Sequence, residues 1–528
     1  MMKVFFTILM LCVMALSCGA VDAQNQAAAA EVDYRVDISE PEGNALEITM
    51  ELYSSAQTLA LDIPDSYGEE LAVELASHID VVKAVDAAGE PVTVSQEGET
   101  WLIEGAGEIT VSYRVELSGY TTGTDYLQAL VEEGAPWPFF PILEQDLAYL
   151  PGYAIFLHPV TEEGLLPSLE LVLPEGWRLA LPWSGQPKSM EELLLNPIYA
   201  GDLVLQEQGS LLVALPSSCA AASGTGLEEY AEKTASLLSE TEGLLGESIT
   251  GEGEKLLVAL LFLGEQGTAE GPRYLPASFT RTIVLSAPSR TNLLSDGNIE
   301  ATSRGLSQLL FPSSIALDRE ALWLKQGTAW YFQDLVPYRA GIWGAATFWE
   351  RFSKTYDGYR DARDRCGESL AASGTLANQD PDASALLCDG GAVACATLDS
   401  EMQSLQTFGE DFASFLRDLA QLDNGGSPLS NSDLQSLLQR ITARDFSSFF
   451  RDYIEGLEEI PVSAFSSLNI AEPDEVEPEA EEPQGSTSTT GWILLGVALC
   501  AVFIIPFILE PYTMRPRKPG WLEKIKEE

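Results

Sequence analysis

Few residues of this chain are equipped for metal or acid–base chemistry, and their spacing decides more than their number. The chain holds two histidines, His78 and His158, so no helix can offer two imidazoles one turn apart to a metal ion. The stretch best placed for chemistry begins at Ser303-Arg304-Gly305-Leu306-Ser307, two hydroxyls one helical turn apart with a guanidinium between them. Eighteen residues separate Ser307 from Gln326, which lies inside Leu322-Trp323-Leu324-Lys325-Gln326-Gly327-Thr328-Ala329-Trp330-Tyr331-Phe332. Neutral hydroxyls and an amide are poor zinc ligands, and a guanidinium cannot act as a general base. No neighbouring His or Lys can activate either serine as a nucleophile.

The cysteines offer a second constellation. Cys12 and Cys18 lie in an N-terminal apolar segment and Cys500 in a C-terminal one, which leaves Cys219, Cys366, Cys388 and Cys395. Four cysteines allow three pairings. A helix from Cys388 to Cys395 would hold that pair about 10 Å apart along its axis, too far for a bond. Cys366 with Cys388 is therefore the expected disulfide, with Cys219 and Cys395 left open. No C-x-x-C pair supports a metal site.

The elements that must position these residues are readable from periodicity. Tyr34 to Ile38, Leu46 to Leu52, Leu59 to Ile63, Trp101 to Ile103 and Ile109 to Val115 alternate apolar and polar residues between Pro, Gly and Asp. That is the pattern of strands with one buried face, here a β-sandwich. Pro136 to Pro159 is rich in aromatics, which are expected to fill the contact between the sandwich and the next domain. From Leu227 to Leu245 the apolar spacing turns helical, and Lys255 to Leu263 is a continuous apolar run suited to a buried strand.

On these residues the chain resembles the glycyl-aminopeptidase family of zinc metallopeptidases, of the thermolysin-like gluzincin clan. Leu322 to Phe332 is similar to its L-W-x-x-E-G-x-x-x-Y-Y helix, with Gln326 where the third ligand Glu belongs. The resemblance puts Ser303 and Ser307 at the two His of H-E-x-x-H and Arg304 at its Glu. Leu61-Asp62-Ile63-Pro64, Tyr113-Arg114-Val115, Pro174-Glu175-Gly176-Trp177, the turn Asp334 to Ile342 and Asp445 to Gly456 resemble framework motifs of the family. Ala277-Ser278-Phe279-Thr280-Arg281 stands where the family has Gly-Gly-Leu-Glu-His, whose Glu helps hold the substrate's amino terminus. Leu387 and Cys388 replace two tyrosines, one of them a candidate to polarise the scissile carbonyl. From about Val32 to Val462, framework motifs match and each chemical motif is altered.

The ends point to export. Residues 1–24 read as a signal peptide, with Lys3, an apolar run and small residues through Ala23. Cys18 follows a poor lipid-attachment signal, so ordinary cleavage is expected. Residues 466–490 form an acidic Pro/Ser/Thr stalk, 491–510 a transmembrane helix and 511–528 a basic tail, placed in the cytoplasm by the positive-inside tendency. Residues 31–210 are the β-rich region and 211–465 the degenerate, mainly helical peptidase-like domain, an α+β multidomain chain.

The net charge of -51 excludes nucleic acid as a partner and describes an acidic, solvated exterior. The expectation is a membrane-anchored, extracytoplasmic pseudo-peptidase without zinc that binds a peptide or protein segment. Arg304, Trp323, Trp330 and Tyr331 are its candidate contacts, each with helix packing as the plainer role. Two alternatives are an active hydrolase with an atypical site and a structural cell-envelope protein.

Overall fold

Strict alternation along Glu31–Asp37 (β1) turns Val32, Tyr34 and Val36 inward and the residues between them to solvent. The same two-residue period recurs in Ala45–Ser54 (β2), Thr58–Asp62 (β3), Thr100–Glu104 (β6) and Gly107–Glu116 (β7). With Ile79–Asp86 (β4), Pro91–Glu97 (β5), His158–Pro159 (β10) and Leu166–Val172 (β11), these make a nine-stranded sheet ordered β10-β3-β6-β5-β4-β7-β2-β1-β11. β5 changes partner within its own length, pairing with β4 at Pro91 and Val92 and with β6 from Thr93 to Glu97. The sheet thereby folds over, and the inward residues of both halves share one core. The strands expected from the sequence thus form an N-terminal sheet domain. The computed structural model describes residues 31–63, 75–118, 140–160, 165–223, 226–248, 254–262, 275–287, 292–312, 315–377, 379–405, 411–422 and 427–470.

Two smaller sheets come next. Ile142–Glu144 (β8), Leu147–Pro151 (β9), Arg178–Ala180 (β12) and Pro197–Gly201 (β13) are ordered β12-β13-β9-β8. Leu203–Gln208 (β14), Leu211–Pro216 (β15), Leu256–Phe262 (β16), Leu275–Ser278 (β17) and Thr282–Ala287 (β18) are ordered β14-β15-β16-β18-β17. β15, β16 and β18 run parallel, with antiparallel strands at both edges. Because β14 already pairs with β15, residues 203–208 go with this third sheet, ahead of the boundary expected at 210. Tyr153 stacks on Phe279 at 6.5 Å, and the Tyr199 hydroxyl donates to the Leu260 carbonyl at 2.7 Å. Tyr153 of the Pro-rich stretch and Tyr199 of β13 thus both reach the third-sheet region.

The remainder is helical: Leu227–Leu245 (α1), Asp296–Leu310 (α2), Leu322–Arg339 (α3), Ala345–Cys366 (α4), Gly391–Ser404 (α5), Phe412–Ala420 (α6) and Asn431–Thr442 (α7), with shorter turns between. Ser295 caps α2 by accepting from the Asn298 amide. Asp318 accepts from the Ala321 amide at 3.1 Å and starts the turn that leads into α3. The stretch from Asp334 to Ile342, expected as a turn, is helical through Arg339 in spite of Pro337. The turn comes afterwards, where the Ile342 and Trp343 amides donate to the Pro337 carbonyl. α3 is apolar nearly all round and is buried accordingly.

Leu468 and Ile470 are buried against the helical core, so the solvated stalk expected from residue 466 starts no earlier than 471. The rest of the expected stalk, the signal segment, the membrane span and the basic tail lie outside the described residues. Among the described residues no helix is long and apolar enough to cross a membrane.

Candidate functional site

α2 and α3 lie side by side. The Ser303 hydroxyl donates to the Phe332 carbonyl at 2.9 Å, and the Arg304 guanidinium donates to Gln333 Oε1 at 3.0 Å while its carbon sits 4.4 Å from the Trp330 ring centroid. These contacts pair 303 with 332 and 304 with 330 and 333, an antiparallel register that carries Ser307 toward the turn holding Gln326. The two helices that the resemblance brings together are in contact.

What they present is not a ligand set. Ser303 and Ser307 are fully buried, and the Ser307 hydroxyl donates to the Ser303 carbonyl at 2.8 Å. Both hydroxyls are thus committed to carbonyl groups. Gln326 contributes a neutral amide on the half-buried side of α3. A divalent zinc ion would meet two engaged hydroxyls, one amide and the Arg304 cation, and these residues do not fit it. Among the described residues no group of three or more His, Cys, Asp or Glu side chains is arranged to hold a metal ion. His78 and His158 belong to the first sheet region, far along the chain from α2 and α3.

Of the aromatic candidates, two prove to be core. Trp323 is 1% exposed, donates its indole N–H to Asn431 Oδ1 at 2.9 Å and packs against Phe449 and Phe450. Tyr331 is fully buried and donates to Asp399 Oδ2 at 2.7 Å. Neither can line an open groove, because α3 buries both against α5 and the C-terminal helical turns. Trp330 and Arg304 stay half-buried and form a cation–π pair at this helix junction.

The expected Cys366–Cys388 disulfide is not formed, and Cys219, Cys366, Cys388 and Cys395 all carry thiols. The reason is register. Arg365, beside Cys366, pairs with Asp382, whereas Asp389, beside Cys388, packs against Gly358. The segment 382–390 therefore runs back along α4 and leaves Cys388 about two turns from Cys366. Burial raises the thiol pKa of Cys395 and of Cys219.

Sequence reasoning passed over a set of carboxylates at the same junction. Asp334, on α3, is 1% exposed, and neither of its oxygens has a hydrogen-bond partner among the described residues. Burial, reinforced by Glu300, holds it well above the usual carboxylate range, against the pull of Arg351 and Arg304. Glu300 is itself raised by burial. Asp389 is pushed up to about 7 by burial, with Arg304 the charge opposing that rise. A lone Asp inside an otherwise apolar helix was the available signal.

The strand edge that the resemblance compares with a substrate anchor is engaged by neighbouring residues. Thr280 Oγ1 donates to the Leu195 carbonyl at 3.1 Å and accepts from Asn196 Nδ2 at 2.9 Å. Arg281 pairs with Glu192 and, at 3.0 Å, with Glu254. Residues 192–196 of the β-rich region, with Glu254, thus engage Thr280 and Arg281, within the segment that the resemblance compared with an amino-terminus anchor.

A β-rich first region followed by a mixed sheet and a helical domain is the architecture of M1-type peptidases. Residues 33–201 match the Peptidase M61 N-terminal domain, and M61 is a glycyl aminopeptidase family. The chain is similar to an aminopeptidase N family protein from Idiomarina loihiensis, with a TM-score of 0.67 at 15% identity over 82% of this chain and 78% of that one. It is also similar to a variant M1 zinc metallopeptidase from Deinococcus radiodurans bound to a Tyr-Ser-Ala substrate, with a TM-score of 0.50 at 15% identity over 82% of this chain and 95% of that one. These likenesses establish the fold. No curated protein matches the chain.

Proposed function

We propose that this chain is a membrane-anchored, extracytoplasmic relative of glycyl aminopeptidases that binds peptide or protein segments without zinc hydrolysis. The observation that carries the reading is the state of Ser303 and Ser307. Their hydroxyls are buried and bonded to the carbonyls of Phe332 and Ser303, so the helix pair that would hold the metal is closed by its own backbone. Without a Lewis acid or a general base between α2 and α3, peptide hydrolysis has no activated water. Binding is the activity such a fold retains, and the Deinococcus radiodurans structure with its Tyr-Ser-Ala substrate has this fold around a short peptide. Anchoring and export rest on the terminal sequences, which supply a signal segment, an apolar run and a basic tail.

The test is elemental analysis of the purified full chain, with a peptide-hydrolysis assay on the same preparation. Zinc well below one ion per chain, with no chelator-sensitive hydrolysis, is expected. Stoichiometric zinc together with hydrolysis that a chelator abolishes overturns the reading.

A further inference from the structure

We propose that the outer edge of β11 is a strand-addition site for an extended segment of another protein, held closed in the free chain by the Gln186 carboxamide. The inference rests on the reading that the chain binds peptide segments. It goes further by giving such a segment a place on the first sheet, apart from α2 and α3.

Three observations carry it. β11 ends the nine-stranded sheet, pairing with β1 along all seven of its residues and with no other strand among the described residues. Two backbone groups on its open side are taken by one side chain: the Leu169 amide donates to Gln186 Oε1 at 2.6 Å, and Gln186 Nε2 donates to the Leu169 carbonyl at 3.3 Å. A carboxamide bonded in this way offers the strand the same acceptor and donor as one residue of a neighbouring strand. The third observation is how little holds it there. Gln186 is exposed between the buried Trp183 and Pro187, and a Cβ on Gly185, at φ +81°, would meet nothing within 4 Å. The carboxamide can therefore swing off the edge while the backbone on either side stays anchored.

The sequence of β11 selects the segment. The Val172 carbonyl accepts from the Ile38 amide on the β1 side, so alternation turns the backbone groups of Pro167, Leu169 and Leu171 to the open side. Pro167 brings no amide, as suits a sheet edge, which leaves Leu169 and Leu171 as donors for an added strand. Leu169 and Leu171 pack against the core of the first region, whereas Ser168 and Glu170 pair on the outer face with Asp33 and Arg35. An added strand would set its side chains alternately beside the leucines and beside Glu170, so the fitting segment alternates apolar with basic residues. A second copy of this chain fits poorly as the occupant, because a net charge of -51 repels its like.

The experiment titrates the full chain into a fluorescein-labelled heptapeptide of alternating valine and lysine, read by fluorescence anisotropy, with wild type, Gln186→Ala and Gln186→Met. Gln186→Ala is expected to bind roughly tenfold more tightly than wild type, since no bond to Leu169 has to be broken first. Gln186→Met, which keeps the length of the side chain and loses both bonds, should bind as tightly as the alanine variant. The same peptide with every amide N-methylated keeps its charges and side chains but cannot donate to the edge, and should bind the alanine variant roughly tenfold more weakly. Amide exchange across residues 166–172 should slow when the unmethylated peptide is added. If neither variant binds more tightly than wild type, or if the methylated peptide binds as well as the other, the carboxamide only covers an edge and the proposal fails. If Gln186→Ala forms a dimer that excludes the peptide, the occupant is a second copy and the proposal fails as well. Zinc and chelator-sensitive hydrolysis in the wild-type preparation would sink the functional reading, whereas these binding differences judge the β11 edge separately.

Discussion

The two faces of α3 carry the same kinds of residue and treat them in opposite ways. On the face against α5, Tyr331 donates to Asp399, whose other oxygen accepts from Gln403 at 2.8 Å and from the Phe412 amide at 3.3 Å. Asp399 is buried, but each of its oxygens has a partner. On the face against α2, Asp334 is as deeply buried and neither of its oxygens has one among the described residues. One face is a finished framework, and the other keeps polar groups that its packing does not satisfy. The contrast separates a framework face, where buried oxygens are paired and glycines meet backbone to backbone, from a face closed by hydroxyls and a guanidinium.

The framework face should break first. Gly327 and Gly391 meet backbone to backbone, and a Cβ on Gly327 would lie 2.2 Å from the Gly391 carbonyl carbon. Neither helix can give way without disturbing Tyr331 and Asp399. Gly327→Ala is expected to cost about 3–5 kcal/mol, read as a shift in denaturant midpoint. A midpoint within error of wild type would show that the two faces are equally yielding.

The closed face should announce itself through pH. Asp389 is held at about 7 against an ordinary 3.8, so the folded state keeps its proton where the unfolded chain has released it. Stability from this group is present below about pH 4 and is lost as pH rises from there to about 7. Between about pH 5 and pH 8 the wild type should lose about 2–3 kcal/mol through this group. Asp389→Asn should remove that part of the pH dependence and be the more stable protein at the alkaline end. The Asp399→Asn variant offers the contrast, because Asp399 accepts three hydrogen bonds and asparagine cannot replace all of them. If Asp389→Asn leaves the pH profile unchanged, the carboxyl is not held protonated by its surroundings.

Much of the framework was legible because each signal was local. Alternation gave β1, β2, β3, β6 and β7, and the run from Leu256 to Phe262 gave a central strand. Gly327 stood inside the motif that marked the Leu322 helix, and the structure supplies its cause in the backbone contact with Gly391. Of the candidate site, the two segments with Ser303 and Gln326 were legible as helices, and those helices are in contact. The contacts of Arg304 were not legible. Arg304 lies 26 residues from Trp330 and 85 from Asp389 along the chain, and no local pattern joins them. Trp323 and Tyr331 look like contacts in the sequence because aromatics suit binding. Yet α3 is apolar on nearly every side, and a helix of that kind is buried whatever its aromatics. The disulfide failed for a related reason: sequence spacing does not say which turn of α4 the segment 382–390 will meet.

The smallest effect expected is at the two serines, and it is the sharpest check on the contrast. Ser303→Ala removes a hydrogen bond to a helix carbonyl, and Ser307→Ala one that bonds back within its own helix. Each loss of about 1 kcal/mol is partly offset by the better helix propensity of alanine, by up to about 0.5 kcal/mol. Neither substitution should therefore move the denaturant midpoint by more than about 1 kcal/mol. Tyr331→Phe, which strips the buried Asp399 of a donor, should cost more than either. If Ser303→Ala proves costlier than Tyr331→Phe, the hydroxyl is as much a part of the framework as the tyrosine. The closure of α2 on α3 would then be a structural requirement of this chain, and the division between the two faces of α3 would disappear.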